Sequence, residues 1–135
     1  MAIVNTLEKC LGSPYLFVDK DAPTRVGKLL ALAGDRLEAA VNLSKAPKSD
    51  PAEVNMMCHE AMFACIRALV YDKGYREAGL RCLLLAFEKL YIHTGLVDSS
   101  HIHMYEKVQA LSPAPDESIE AASAFVKKTL EILGK

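Results

Sequence analysis

There is no tryptophan in this 135-residue chain, no Cys-x-x-Cys pair among its four cysteines, and no apolar run of the roughly 18 residues that a membrane span needs. Positive charge is not in excess either: 16 Lys and Arg stand against 17 Asp and Glu, a net charge of -1. That balance excludes a global field that would draw in a polyanion, so any nucleic-acid contact must come from a local patch. The start, MAIVNTLEKC, lacks both a basic opening and a sustained apolar core and does not read as a secretory signal. Cys58, Cys65 and Cys82 fall inside apolar helical patterns, where cysteine behaves as a small core residue. With Cys10 they imply free thiols and a reducing cytoplasm.

Motifs of chemistry are equally scarce. GxxxxGK, GxGxxG and GxSxG do not occur. His59-Glu60 begins a zinc-protease helix, but Phe63 stands where the second histidine belongs. His101 and His103 lie two apart, which on a helix turns them about 200° from each other. Glu-x-x-His pairs of the di-iron kind are missing, since Met56, Leu90, Asp98 and Ser100 precede the four histidines by three. Ser44, Ser49 and Ser112 sit at caps and loops. The sequence therefore offers no metal site, no cofactor site and no nucleophile.

What is present is helix. At 51% hydrophobic and 24% charged residues the chain is globular, and its length suffices for one self-sufficient core without a metal or a disulfide. A short helix from Ile3 to Leu11 ends at Gly12-Ser13-Pro14 and belongs to an N-terminal extension, residues 1–20. Residues 21–133 form the bundle. Val26, Leu29, Leu30, Ala33, Leu37, Ala40 and Val41 make one stripe to about Lys45, with Asp21 as cap and Pro23 in the first turn. Asp50-Pro51-Ala52-Glu53 has capping-box spacing and opens a helix that buries Val54, Cys58, Ala61, Met62, Cys65, Ala68 and Leu69 and stops at Gly74. A fourth helix, Glu77 to Thr94, turns Leu80, Leu83, Leu84, Phe87, Leu90 and Tyr91 inward and ends at Gly95. A fifth starts at Asp98 or Ser99 and breaks before Pro113. A sixth, Asp116 to Leu133, stacks Ile119, Ala122, Phe125, Val126, Thr129 and Leu133. Strand signals are almost absent. Short loops between long amphipathic helices predict an all-α, up-and-down antiparallel bundle of five to six helices in a single domain, 1–135.

The segment His59 to Asp98 carries a resemblance. Ala61, Met62, Phe63, Arg67, Ala68, Leu69, Lys73, Gly74, Arg76 and Glu77 form an AMFxxxRALxxxKGxRE pattern, followed by a Phe87 to Gly95 stretch ending in Thr-Gly. This resembles the HEPN-domain family, small helical bundles that bind or cut RNA or accompany nucleotidyltransferases. Active ribonucleases of that family carry an Arg followed four to six residues later by His; none of Arg25, Arg36, Arg67, Arg76 and Arg81 has histidine at those offsets. Where the family places that motif, this chain has a proline loop, residues 110–115.

The resemblance thus implies a non-catalytic nucleotide- or RNA-binding or regulatory protein, companion of a nucleotidyltransferase in a toxin-antitoxin-like pair, dimeric and cytoplasmic, with no cofactor. Its alternatives are a divergent ribonuclease, with Arg81 meeting His59 or His93, and a purely structural dimerisation module.

The candidate ligand site is a seam between the third and fourth helices. There Arg67, Tyr71, Lys73, Tyr75, Arg76 and Arg81 combine four cations with two rings, the mix that holds a phosphate and stacks a base. Against it stand Asp72 and Glu77, which neutralise half the patch, and the habit of arginine stems to cover helix ends. A second run, Phe87, Tyr91, His93, His101, Met104 and Tyr105, reads as core or as a helix–helix interface, as does the pair Met56-Met57.

Overall fold

The computed structural model describes residues 5–135. Its spine is α3, Pro51–Asp72, the most buried helix, with buried residues on more than one face. The face read from the sequence is inside, and so are Asn55, Ala64, Ile66, Val70 and Tyr71 on the other sides. A helix with apolar residues on several faces needs neighbours on more than one side. Those neighbours are α2 (Val26–Lys45), α4 (Leu80–Phe87), α5 (Ser99–Gln109) and α6 (Pro115–Leu133), all packed on it. With α1 (Leu7–Leu11) the described residues form six α-helices, an all-α bundle.

The local signals explain most boundaries. Asp50 accepts from the Ala52 amide and Pro51 sits where no amide is needed, so α3 starts there. Asp98 caps α5 in the same way through Ser100. Gly74 and Gly95 take φ of 85° and 78°, a left-handed backbone that side chains with a Cβ rarely adopt, and both end helical runs as expected. In α2, Val26, Ala33 and Ala40 are buried, and Leu29, Leu30, Leu37 and Val41 half-buried beside them. Ala122, Phe125 and Thr129 are the buried ridge of α6.

Four readings are corrected. The fourth helix does not begin at Glu77: Tyr75–Glu77 is a strand, β2, paired antiparallel with β1 (Leu16–Val18) in the register Leu16 to Glu77, Phe17 to Arg76 and Val18 to Tyr75. The helix after it starts only at Leu80, which is exposed rather than inward, and runs from α4 into a π turn, Glu88–Ile92. Asp21 makes no side-chain cap; residues Ala22–Arg25 form a 3-10 turn ahead of α2. Finally, Cys10 and Cys82 are joined in a disulfide that ties α1 to α4, while Cys58 and Cys65 are free and buried. The helix expected from Ile3 is seen from Leu7 onward, and residues 3 and 4 of that range lie outside the described residues.

The proline loop is fastened to the spine by a buried polar group. Asn55 donates from Nδ2 to the Pro113 carbonyl at 3.1 Å and accepts from the Ser118 hydroxyl. This satisfies a fully enclosed amide and fixes the entry of α6 against α3.

No helix among the described residues is long and apolar enough to cross a membrane, and no three of their His, Cys, Asp or Glu side chains gather as a metal site.

Candidate functional site

Four residues at successive four-residue steps, His59, Phe63, Arg67 and Tyr71, form a stripe along α3 that looks toward α2. The Arg67 guanidinium lies over the Phe63 ring at 4.5 Å, and the rings of His59 and Phe63 stack at 6.1 Å. Opposite stand Arg25, Lys28, Leu29, Leu32 and Arg36. Between the helices two open hollows share Leu32 and Arg67. One of about 530 Å³ is lined by Arg25, Lys28, Leu29, Leu32, Arg67 and Tyr71. The other, about 270 Å³, lies between Arg36, His59, Glu60, Phe63 and Arg67.

The electrostatics of the two hollows differ. Arg36 is bound to Glu60 at 2.7 Å, so the smaller hollow is internally neutralised. In the larger one Arg67 Nε donates to Glu77 Oε2 at 2.9 Å, and the Tyr71 hydroxyl donates to Glu77 Oε1 at 2.5 Å. The Glu77 side chain is only 6% exposed, so its charge is held by those two groups rather than by water. Burial, reinforced by the hydrogen bond and charge of Glu77, pushes the Tyr71 hydroxyl up to about 12, which keeps it a donor. Arg25 and Lys28 have no carboxylate within ion-pair distance among the described residues. The larger hollow therefore carries uncompensated positive charge over an apolar floor of Leu29 and Leu32.

The seam read from the sequence is thus divided. Arg67 and Tyr71 do meet, around Glu77. Arg76 leaves the other side of β2: its guanidinium covers Phe17 at 4.9 Å, and its buried Nε lies 3.2 Å from Asp19 Oδ2 without hydrogen-bond geometry. The Lys73 ammonium sits 5.7 Å from the ring of Tyr91, whose hydroxyl is spent on the Leu69 carbonyl. Tyr75 is half-buried against the core, and Arg81 is exposed with no ion pair among the described residues. Phe17, Phe63 and Tyr91 each already carry a cation of the chain itself. A base would stack here on the outer plane of a guanidinium, not on a bare ring.

Arg25 and Lys28 are the residues the sequence reading missed. At the entry to α2 they look like a solvated face; only the packing of that segment against the Arg67 stripe makes them converge.

Neither histidine joins Arg81. His59 Nε2 lies 3.0 Å from the Tyr105 hydroxyl with the two rings stacked, and His93 is about 18 Å along the helical run from Arg81 at 1.5 Å per residue. Of the second aromatic run, Phe87, Tyr91 and Tyr105 are core, His101 and Met104 are half-buried, and His93 is exposed.

Burial pulls the pKa of His59 below the ordinary histidine value, against an opposing pull from Glu60. His101, stacked on Phe125, is lowered in the same way, Asp98 opposing and Lys128 assisting. A folded pKa below the unfolded one means that the unfolded chain takes up protons which the fold refuses. The associated stability is complete above the unfolded value and is lost as pH falls through it. The melting temperature is expected to drop on going from about pH 7.5 to about pH 5.5, spanning the unfolded histidine value near 6.5. A His59→Gln, His101→Gln variant should show a shallower drop; an equally steep one would assign the effect to other groups.

No family model, no curated protein and no solved structure matches this chain.

Proposed function

We propose that the chain is a non-catalytic binding or regulatory protein that takes a phosphate-bearing ligand, a nucleotide or RNA, in the cleft between α2 and α3. In this reading Arg25, Lys28 and Arg67 engage phosphate, and the outer face of the Arg67 guanidinium is the platform for a base. The observation that carries it is the convergence of three cations on one hollow in a chain whose net charge is -1, with two of them lacking any carboxylate partner among the described residues. Such an arrangement costs charge repulsion unless an anion is bound.

The HEPN-like class, the nucleotidyltransferase companion role and the toxin-antitoxin setting belong to the same proposal and rest on the His59 to Asp98 pattern. A homodimer is part of it too, supported by exposed Leu11, Tyr15, Val18 and Leu80 on α1, the turn before β1, β1 and α4. The cytoplasmic location is compatible with the Cys10–Cys82 bond if that bond is made and broken rather than permanent.

Titration with ATP and with a short single-stranded RNA at low salt tests the binding. The affinity is expected to weaken as salt rises, because ion contacts to phosphate release counterions. Absence of binding by both probes at low salt removes the reading.

A further inference from the structure

The cations of the cleft and the carboxylate that occupies one of them are mounted on parts of unequal rigidity. Arg67 and Tyr71 belong to the largely buried spine α3, Arg25 to the 3-10 turn before α2 and Lys28 to the first turn of α2. Glu77 belongs to β2, a three-residue strand whose only strand partner is β1. At the Leu16–Glu77 end of that ladder both strands lead to the disulfide. Cys10 lies in α1, just before β1, and Cys82 in the first turn of α4, just after β2. Between them the chain is zipped by the Leu16 to Glu77 pair and by the amides of Ala78 and Gly79, both donating to the Tyr15 carbonyl. Gly79 lies close against this segment, since a Cβ there would meet the Tyr15 side chain at 3.3 Å. Glu77 therefore reaches Arg67 and Tyr71 from a segment that the Cys10–Cys82 bond clamps.

We propose that this disulfide is a redox gate on the anion cleft: oxidised, it holds Glu77 on Arg67 and Tyr71 as an internal anion; reduced, it lets β2 loosen and frees both groups for ligand phosphate. The inference rests on the cleft reading above. A dithiol reductant supplies the chemistry. One of its thiolates attacks a protein sulfur, the Cys10–Cys82 bond breaks, and a mixed disulfide forms. The second thiol resolves that intermediate, the reductant leaves as its own disulfide, and the protein gains two electrons and two protons as two thiols. Both protein sulfurs are buried, so attack follows local opening of α1, a five-residue helix in which only Cys10 is buried.

The expected effect follows from competition. A cleft whose arginine is held by its own carboxylate presents a small competent fraction, and apparent affinity scales with that fraction. ATP titrated into reduced protein should bind at least about threefold tighter than into oxidised protein. A Cys10→Ser, Cys82→Ser variant should match the reduced protein under either condition. In Glu77→Gln, which removes the internal charge, oxidised and reduced forms should bind alike. Hydrogen exchange without ligand supplies an independent reading: the amides of 75–79 exchange faster after reduction, and those of α3 do not.

ATP binding that is equal in both redox states overturns the gate and leaves the cleft reading standing. Unchanged exchange at 75–79 on reduction overturns it as well. No ATP binding in any state removes the gate together with the site.

Discussion

Removing the Cys10–Cys82 bond is expected to lower the stability of the fold by about 3–4 kcal/mol, the largest single effect any one covalent change should have here. The two cysteines are 72 residues apart in sequence. A crosslink over so long a loop strips the unfolded chain of much of its freedom, and the chain-entropy estimate for loops of this order is about 4 kcal/mol. The packing of α2 and α6 on α3 does not involve the bond, and Leu16 is fully buried against the core. The reduced protein should thus stay folded, with its melting temperature roughly 10 °C lower for a domain of this size. Thermal unfolding with and without dithiothreitol, and of the Cys10→Ser, Cys82→Ser variant, measures this directly. Equal melting temperatures would show that the bond is dispensable and that the long α3 spine alone sets stability.

The second large effect concerns binding. Replacing Arg25, Lys28 and Arg67 together by glutamine removes the three cations of the larger hollow while leaving their aliphatic stems. Charge-assisted contacts to phosphate contribute about 1.5–3 kcal/mol each in a desolvated setting and less where water screens them. This cleft is open, so a total loss near 3 kcal/mol is the reasonable scale, about a hundredfold in Kd for ATP. Arg81→Gln, which alters a cation outside the cleft, should leave affinity within twofold or so. Arg67→Gln also strips Glu77 of one partner, so circular dichroism must show that the triple variant is folded before its affinity is read. An Arg25→Gln, Lys28→Gln double variant avoids that complication, since neither residue has an ion-pair partner among the described residues.

How much of this was legible in the sequence depends on the range of the interaction. Helix ends governed by one or two neighbouring residues were readable: Asp50 before Pro51, Asp98 before Ser99, and the glycines at 74 and 95. Stripes were readable wherever one face of a helix stayed in water, as in α2 and α6. The spine α3 was read as one-sided because its small and sulfur-bearing residues show one stripe clearly; the burial of Asn55 depends on Ser118 and Pro113, far along the chain. The strands are three residues each, too short for a period of two to register, and they exist because Gly74 reverses the chain and brings β2 to β1. Nothing near Cys10 or Cys82 announces their pairing, since it is set by the same long-range closure.

The candidate site follows this division. Arg67, Tyr71 and Glu77 lie within one local stretch, where the sequence shows Glu77 as a neutralising charge and the structure shows it as the acceptor of both Arg67 and Tyr71. Arg25 and Lys28 were invisible as site residues because their role arises only when α2 lies on α3. Lys73, Arg76 and Arg81, close in sequence to Arg67, point elsewhere because a turn and a strand intervene where continuous helix was expected.

Following backbone amides by NMR during titration of the oxidised and then the reduced protein with ATP tests the central claim most directly. The largest shifts are expected on residues around Arg25, Lys28, Arg67 and Tyr71, with Glu77 following on reduction. Shifts gathered around Arg81, or around His101 and Lys128, with the α2–α3 cleft silent, would contradict it.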